Sequence, residues 1–368
     1  MAPHTPRNPR IDVLRGLSVL LVIIFHLELR FPLSRTALGD HVPLRVLHAI
    51  SKHGFDAVTI FFVISGYLIT KHTLRRHGEL RNLDLRAFYI RRAARILPFL
   101  LLLVGVLSGL HLMSVPGFTI QGEGQSLGRS ILAALFLHIN LYEAWTGYLP
   151  GAWDVMWSLS IEEVFYLGFP LVCITLRHRW VLLASFLALA LSLPWLRADL
   201  SGIWMSKAYL PGMASIAMGV FAASLSHQRT IGVWPGRLLR LLGCVGMASV
   251  LVFSDLLWPR LRHTTVLLLT ASTGGWLLAV DRGGPLHPIP GLRWLRRVGR
   301  LSYEIYLTHM FIVLAGVHLW TAMDLDGGDA WLLYPLVVLG SVGLGLACSH
   351  LFTNPVDRRL RASLLRPG

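Results

Sequence analysis

The sequence predicts an all-α fold: a polytopic integral membrane helical bundle of about ten transmembrane spans, with one further short helix that is re-entrant or buried. Three observations carry this. Hydrophobic residues make up 54% of the 368 residues and charged ones only 14%, too little charge for the surface of a soluble globule of this size. The apolar residues fall into runs close to the roughly 20 residues that cross a bilayer as helix. The basic residues sit in short clusters between those runs. A formal net charge of +15 would suggest nucleic-acid binding in a soluble protein. Here the positive-inside rule accounts for it, so the expected partner is the lipid bilayer and no nucleic acid. Of the 34 basic residues, all but Lys52, Lys71 and Lys207 are arginines. Genomic bias or phosphate recognition would each produce that preference.

Eleven stretches qualify, around 11–29, 55–71, 96–113, 127–143, 155–176, 180–196, 208–226, 238–257, 264–280, 300–320 and 331–352. The polar, basic start MAPHTPRNPR precedes a run that carries Arg15 and His26 with no small-residue cleavage site behind it, which reads as a retained first span. Polar stretches between the runs are too short to fold alone, so residues 1–368 are expected to form a single transmembrane domain. Cys173, Cys244 and Cys348 lie far apart inside apolar runs, a spacing that suits neither a disulfide framework nor a zinc site, and no metal is expected.

Loop charge sets the orientation. The segment from Lys71 to Arg95 holds eight Lys/Arg, that from Asp281 to Arg300 five Arg, and the tail after Pro355 four more, which places all three and the N-terminus in the cytoplasm. Thr321 to Ala330, with Asp324, Asp326 and Asp329, should face outward. If the 71–95 loop and the Arg177 to Arg179 turn are both inside, an even number of crossings separates them, yet three candidates lie between. The weakest is 127–143, interrupted by His138 and Asn140, and it is assigned as the segment that does not span.

Ionisable groups inside spans are costly and mark functional sites. Arg15 and His26 are eleven residues apart, three helical turns plus about 20°, so they share one face about 16.5 Å apart. His26 reads equally well as a packed histidine satisfied by a neighbouring carbonyl, and Arg15 as an interfacial residue paired with Asp12. Arg92 and Arg95 are neighbours on one helix face, which suits phosphate oxygens or a plain topological signal. In WSLSIEEVFY, Glu162 and Glu163 lie near the outward part of a span, to pair with arginine, hold a histidine or accept a proton. In LSYEIYLTHM, Tyr303, Tyr306 and His309 recur at three-residue steps beside Glu304. A transporter or flippase would also bury such groups along a pathway, although no inverted repeat or paired helix interruption is seen. A purely structural membrane protein would have little use for them.

The strings RIDVLRGLSVLLVIIFH, IFFVISGYLIT, RRAARILP, WSLSIEEVFY and GRLSYEIYLTHMF, in this order, resemble the membrane-bound acyltransferase 3 family. The likeness runs from Asp12 to the NPVDRRL segment ending at Leu360, and resembles the stand-alone form with no fused hydrolase-like domain. It implies an O-acyltransferase of a bacterial cytoplasmic membrane that moves an acyl group, usually acetyl, from cytoplasmic acyl-CoA to a hydroxyl of a glycan, a lipid-linked sugar or a similar acceptor. By position, the family's arginine and histidine of the first span fall on Arg15 and His26, its arginine pair on Arg92 and Arg95, and its glutamate motif on Glu162 with Glu163. Two departures stand out. Thr59 occupies a position commonly acidic, with Asp56 one turn earlier as its substitute, and Val164 replaces a common glutamine. The expected roles are then His26, Glu162 and Glu163 in catalysis, Arg15, Arg92 and Arg95 on acyl-CoA, and Tyr303, His309 and Asp56 at the acceptor. No serine or cysteine stands in a nucleophile motif, which favours direct transfer.

Overall fold

The computed structural model describes residues 8–176, 178–228, 232–280 and 291–364. Arg177, the 281–290 part of the basic loop, the start of the N-terminal segment and the end of the basic tail, with Arg366, lie outside the described residues.

Helix α1 (Pro9–Glu28) starts where the Asn8 side chain accepts from the Arg10 amide at 3.0 Å and Pro9 supplies a preset φ at the first position. A short α2 (Leu44–Ser51) leads into α3 (Gly54–His77), which ends at Gly78 with φ of 74°. Helix α4 (Leu85–Leu112) is capped by Asp84, whose side chain accepts from the Ala87 amide at 3.0 Å. Arg92 and Arg95 lie in its first turns, before Pro98.

The 127–143 segment is not one helix but two short ones, α5 (Leu127–Leu135) and α6 (Ile139–Thr146), broken at Leu137 with φ of 62°. At nine and eight residues neither approaches bilayer thickness. After α7 (Gly151–Asp154) comes α8 (Trp157–Thr175), then α9 (Arg179–Leu191), α10 (Leu193–Ala198) and α11 (Trp204–Lys207). The chain continues through α12 (Tyr209–Gln228), α13 (Val233–Leu261) and α14 (Thr264–Val280). A basic α15 (Arg293–Arg300) precedes α16 (Ser302–Ala322) and α17 (Leu333–Cys348), and a π-helical turn, Ser349–Thr353, passes into α18 (Asn354–Leu364).

Among the described residues, eight helical stretches are long and apolar enough to cross a membrane. α14, at 17 residues, is shorter, and α1 carries Asp12, Arg15 and Glu28 within its length. The protein is a multi-pass membrane protein, and its helices lean on one another where side chains are smallest. A Cβ on Gly219 of α12 would collide with the Val63 carbonyl of α3, and one on Gly66 of α3 with the Ile216 carbonyl of α12, so α3 and α12 approach backbone to backbone. Gly16 of α1 and Gly299 of α15 make the same kind of approach, against Leu295 and Asp12. That contact carries the basic α15 up to the start of α1 and brings Arg300 within 3.4 Å of Asp12.

Candidate active site

A cavity of about 630 Å³ is lined by α1, α3, α4, α8, α15, α16, the π-helical turn and α18. One end of it is basic. Arg15, Arg92 and Arg95 line it together, joined by Arg300 and by Arg361 of α18. Arg15 donates from Nε and Nη2 to Ser302 Oγ at 3.1 and 2.8 Å, which sets one edge of its guanidinium. Arg95 Nη2 donates to Glu304 Oε1 at 3.0 Å, and its Cζ stands 5.0 Å over the Tyr303 ring. Arg92 lies with Cζ 3.8 Å over the Tyr166 ring.

Glu162 and Glu163, which the sequence places near the outward part of a span, reach toward the arginines of α4. Glu162 Oε1 accepts from Tyr166 Oη at 2.6 Å and from Ser65 Oγ, beneath Arg92. Glu163 is within electrostatic reach of the same arginine and keeps a buried Oε1 without a hydrogen-bond partner. Glu162 lines the arginine end of the cavity and Glu163 lies near Arg92, and among the described residues no hydrogen bond joins either one to His26. The reason is rotational: adjacent residues on α8 project about 100° apart, and both directions meet the arginine-bearing face of α4 rather than α1.

His26 is held instead by His309. His309 Nδ1 lies 2.7 Å from the Tyr306 carbonyl, which can only accept, so the hydrogen-bond network assigns the proton of the neutral ring to Nδ1 and a lone pair to Nε2. That Nε2 is 3.2 Å from His26 Nδ1, which also lies 2.8 Å from the Val22 carbonyl. The His26 proton is thus fixed on Nδ1, shared between the two acceptors, and Nε2 is left as a basic nitrogen. A neighbouring carbonyl does satisfy this intramembrane histidine, but it occupies only one of the two ring nitrogens.

The pair does not line the basic cavity directly. The wall between them is Tyr306, whose ring centroid is 6.0 Å from that of His309 and whose hydroxyl accepts from Ser158 Oγ at 2.7 Å and donates to the Val155 carbonyl at 3.1 Å. Tyr303 lines the basic cavity beside Arg95, whereas His309 is not among its lining residues. Asp56 is elsewhere too: it accepts from His53 Nδ1 at 2.6 Å and lines a second cavity with Thr59 and Arg197.

Some participants escaped sequence reasoning. Arg300 and Arg361 had been absorbed by the positive-inside rule, and Ser65 carries no pattern at all. A buried ion triad was also missed. Lys207, 1% exposed, donates from Nζ to Glu143 Oε2 at 2.7 Å and contacts Asp154 Oδ1, while Asn140 Nδ2 donates to the Lys207 carbonyl at 2.6 Å. Glu143 Oε1 in turn accepts from the Leu149 amide at 3.1 Å. This cluster ties the broken α5–α6 segment to α7, next to α1, where Arg30 donates to the His26 carbonyl at 2.6 Å. Lysine alone in an apolar run was the only available signal. Lys207→Met is expected to leave two buried carboxylates uncompensated and to destabilise the protein by about 3–5 kcal/mol. Thermal unfolding of the purified variant in detergent, followed by size-exclusion profile, checks it; an unchanged midpoint would make the triad dispensable.

A profile of an acyltransferase domain matches residues 8–350. The chain is 27% identical over 335 residues to the peptidoglycan O-acetyltransferase OatA of Listeria monocytogenes, covering 83% of this chain and 49% of the relative. It is 32% identical over 184 residues to the O-acetyltransferase OatA of Staphylococcus aureus, covering 48% of this chain and 26% of that protein. The chain thus spans half or less of the length of these curated relatives. No solved structure gives a significant match. With the domain match spanning nearly all of the chain, and with the first-span, arginine-pair, glutamate and Tyr/His strings inside it, the protein belongs to the acyltransferase 3 family.

Proposed function

We propose that this chain is a membrane O-acyltransferase that transfers an acetyl group from acetyl-CoA, held on the cytoplasmic side, to a hydroxyl of a glycan or lipid-linked sugar. One observation carries the reading: a cavity lined by five arginines leads to Tyr306, directly beyond which stand His309 and a His26 with its Nε2 available as a base. The phosphates of coenzyme A suit Arg15, Arg300 and Arg361 at the entrance and Arg92 with Arg95 deeper in, since a guanidinium fork matches phosphate oxygens. The pantetheine arm then extends along α1 toward His26, a separation of about 16.5 Å from Arg15 on a straight helix.

In the reaction, His26 Nε2 takes the proton of the acceptor hydroxyl as its oxygen bonds to the thioester carbonyl carbon. The tetrahedral intermediate collapses with cleavage of the C–S bond, and His26 returns the proton to the departing thiolate, so no charge or atom is left over. His309 keeps His26 in the productive tautomer and accepts part of the imidazolium charge. Glu162, with Ser65 and Tyr166, and Glu163 hold Arg92 in place, while Glu304 does so for Arg95. These carboxylates position the donor site. The ring hydroxyl of Tyr306 and Ser158 Oγ are the polar groups at the passage, placed to meet the thioester carbonyl.

This reading takes the chain as a single domain of a bacterial cytoplasmic membrane with both termini inside. Purified protein in detergent, given acetyl-CoA carrying a labelled acetyl group and a soluble glycan in one compartment, should form labelled ester without any gradient. Movement of the label across proteoliposome membranes with no ester formed would point to a transporter instead.

A further inference from the structure

The second cavity, about 370 Å³, has a lining the donor site does not explain. It lies among the ends of α3, α8, α10, α12, α13 and α14, away from the arginines of the first cavity. Four aromatic rings bound it: Phe55, Phe62, Trp157 and Trp258. Between them are polar groups of an unusual kind for a site buried among helices. Arg197 Nε and Thr265 Oγ1 are buried and have no hydrogen-bond partner, and Asp56 is oriented by His53 at 2.6 Å. Unsatisfied buried donors are costly and rare, so two in one cavity indicate a hydrogen-bonding occupant.

Its position relative to the first cavity is equally specific. Phe62 borders both cavities, and Trp157 precedes Ser158 of the first. On the histidine side, Phe55 meets Phe25 at 5.5 Å between ring centroids, and Phe25 meets His26 at the same distance. The second cavity is therefore separated from His26 by two rings, Phe55 and Phe25, of which Phe55 is 41% exposed.

We infer that this second cavity is the acceptor subsite and that it takes a hydroxyl-rich pyranose ring. The inference rests on the acyl-transfer reading above. Partly positive C–H groups of a sugar face pack over the negative faces of Trp157 and Trp258. Arg197 and Thr265 donate to ring or exocyclic oxygens, and Asp56 accepts from a hydroxyl. Rotation of Phe55 then admits one hydroxyl to His26 Nε2. Donor and acceptor would approach the histidine from opposite sides of the Phe62 and Trp157 wall, so each can be bound without passing the other.

The test uses the full chain in detergent with acetyl-CoA and, as acceptor probe, the N-acetylglucosaminyl-N-acetylmuramic acid disaccharide. Trp258→Ala and Arg197→Met should each raise KM for the disaccharide about tenfold, the loss of one stacking face or one charged hydrogen bond. Coenzyme A affinity by calorimetry should stay within about twofold of wild type, which also shows that the variants are folded. Thr265→Val, nearly isosteric, should raise the same KM by a smaller factor. Unchanged KM in all three variants, with transfer intact, would overturn the assignment and leave the cavity to lipid or water. Coenzyme A binding with no transfer to the disaccharide would overturn the sugar class while sparing the donor site. Absence of coenzyme A binding to wild type would overturn the acyl-transfer reading itself.

Discussion

Replacing His26 by alanine is expected to lower acyl transfer by about 10²- to 10⁴-fold while coenzyme A still binds, because the general base is lost and the arginines are untouched. The geometry sharpens this. Nδ1 of His26 is committed to the Val22 carbonyl and His309, so only Nε2 can take a proton from the acceptor. His26→Gln keeps a side chain of similar reach but supplies no base, and it should be as inactive as alanine. His309→Gln is expected to be milder: it can still place a carbonyl oxygen near His26 Nδ1, so the tautomer is preserved and mainly the stabilisation of the imidazolium is weakened. Initial rates of ester formation at saturating acetyl-CoA separate these outcomes. A His26→Ala protein with near-normal turnover would remove His26 from the chemistry, whatever its position in the bundle.

The double replacement of Arg92 and Arg95 by lysine is expected to weaken coenzyme A binding by about 10- to 100-fold, with normal insertion and little change in acceptor KM. Charge is conserved and the positive-inside signal counts both residue types alike, so topology should not respond. What is lost is shape. Arg92 presents a planar face to Tyr166 at 3.8 Å beside Glu162 and Glu163, Arg95 donates one Nη to Glu304 at 3.0 Å, and both line the cavity. An ammonium group cannot stack and donate in fixed directions at once. Lysine at 95 could still meet Glu304, so the ion pair should survive and the deficit should appear in ligand affinity rather than in stability. Calorimetry of wild type and variant in the same detergent reads the difference directly. Equal affinities would return both arginines to a topological role.

Comparison of these residues shows where sequence reasoning reached and where it stopped. A common face for Arg15 and His26 was expected from their spacing of eleven on one helix, yet of the two only Arg15 lines the basic cavity. The break in the 127–143 segment was legible from the polar interruptions and from counting crossings, and the structure shows two short helices there. His309 was legible as a polar residue in a span, but its partner was not, since nothing in either string relates α1 to α16. The glutamates were legible as buried ionisable groups, but the arginines they meet were not. Sequence alone assigned them the outer part of a span, and their side chains reach the arginines of α4. Asp56, read as part of the same acceptor group as His309, lines a different cavity from the first turn of α3.

The sequence by itself determined the membrane environment, the helical class, the family and the inventory of buried ionisable groups. These follow from composition, run length and spacing along single helices. Which groups meet was decided only by the tertiary structure. The rotation and separation of neighbouring helices depend on contacts such as Gly66 and Gly219, where the absence of a Cβ lets α3 and α12 touch backbone to backbone. A periodic pattern reports the face a residue takes on its own helix, but the convergence of Arg92 on Glu162, of His309 on His26 and of Lys207 on Glu143 depends on how several helices are turned toward one another. That orientation is a property of the packed bundle as a whole.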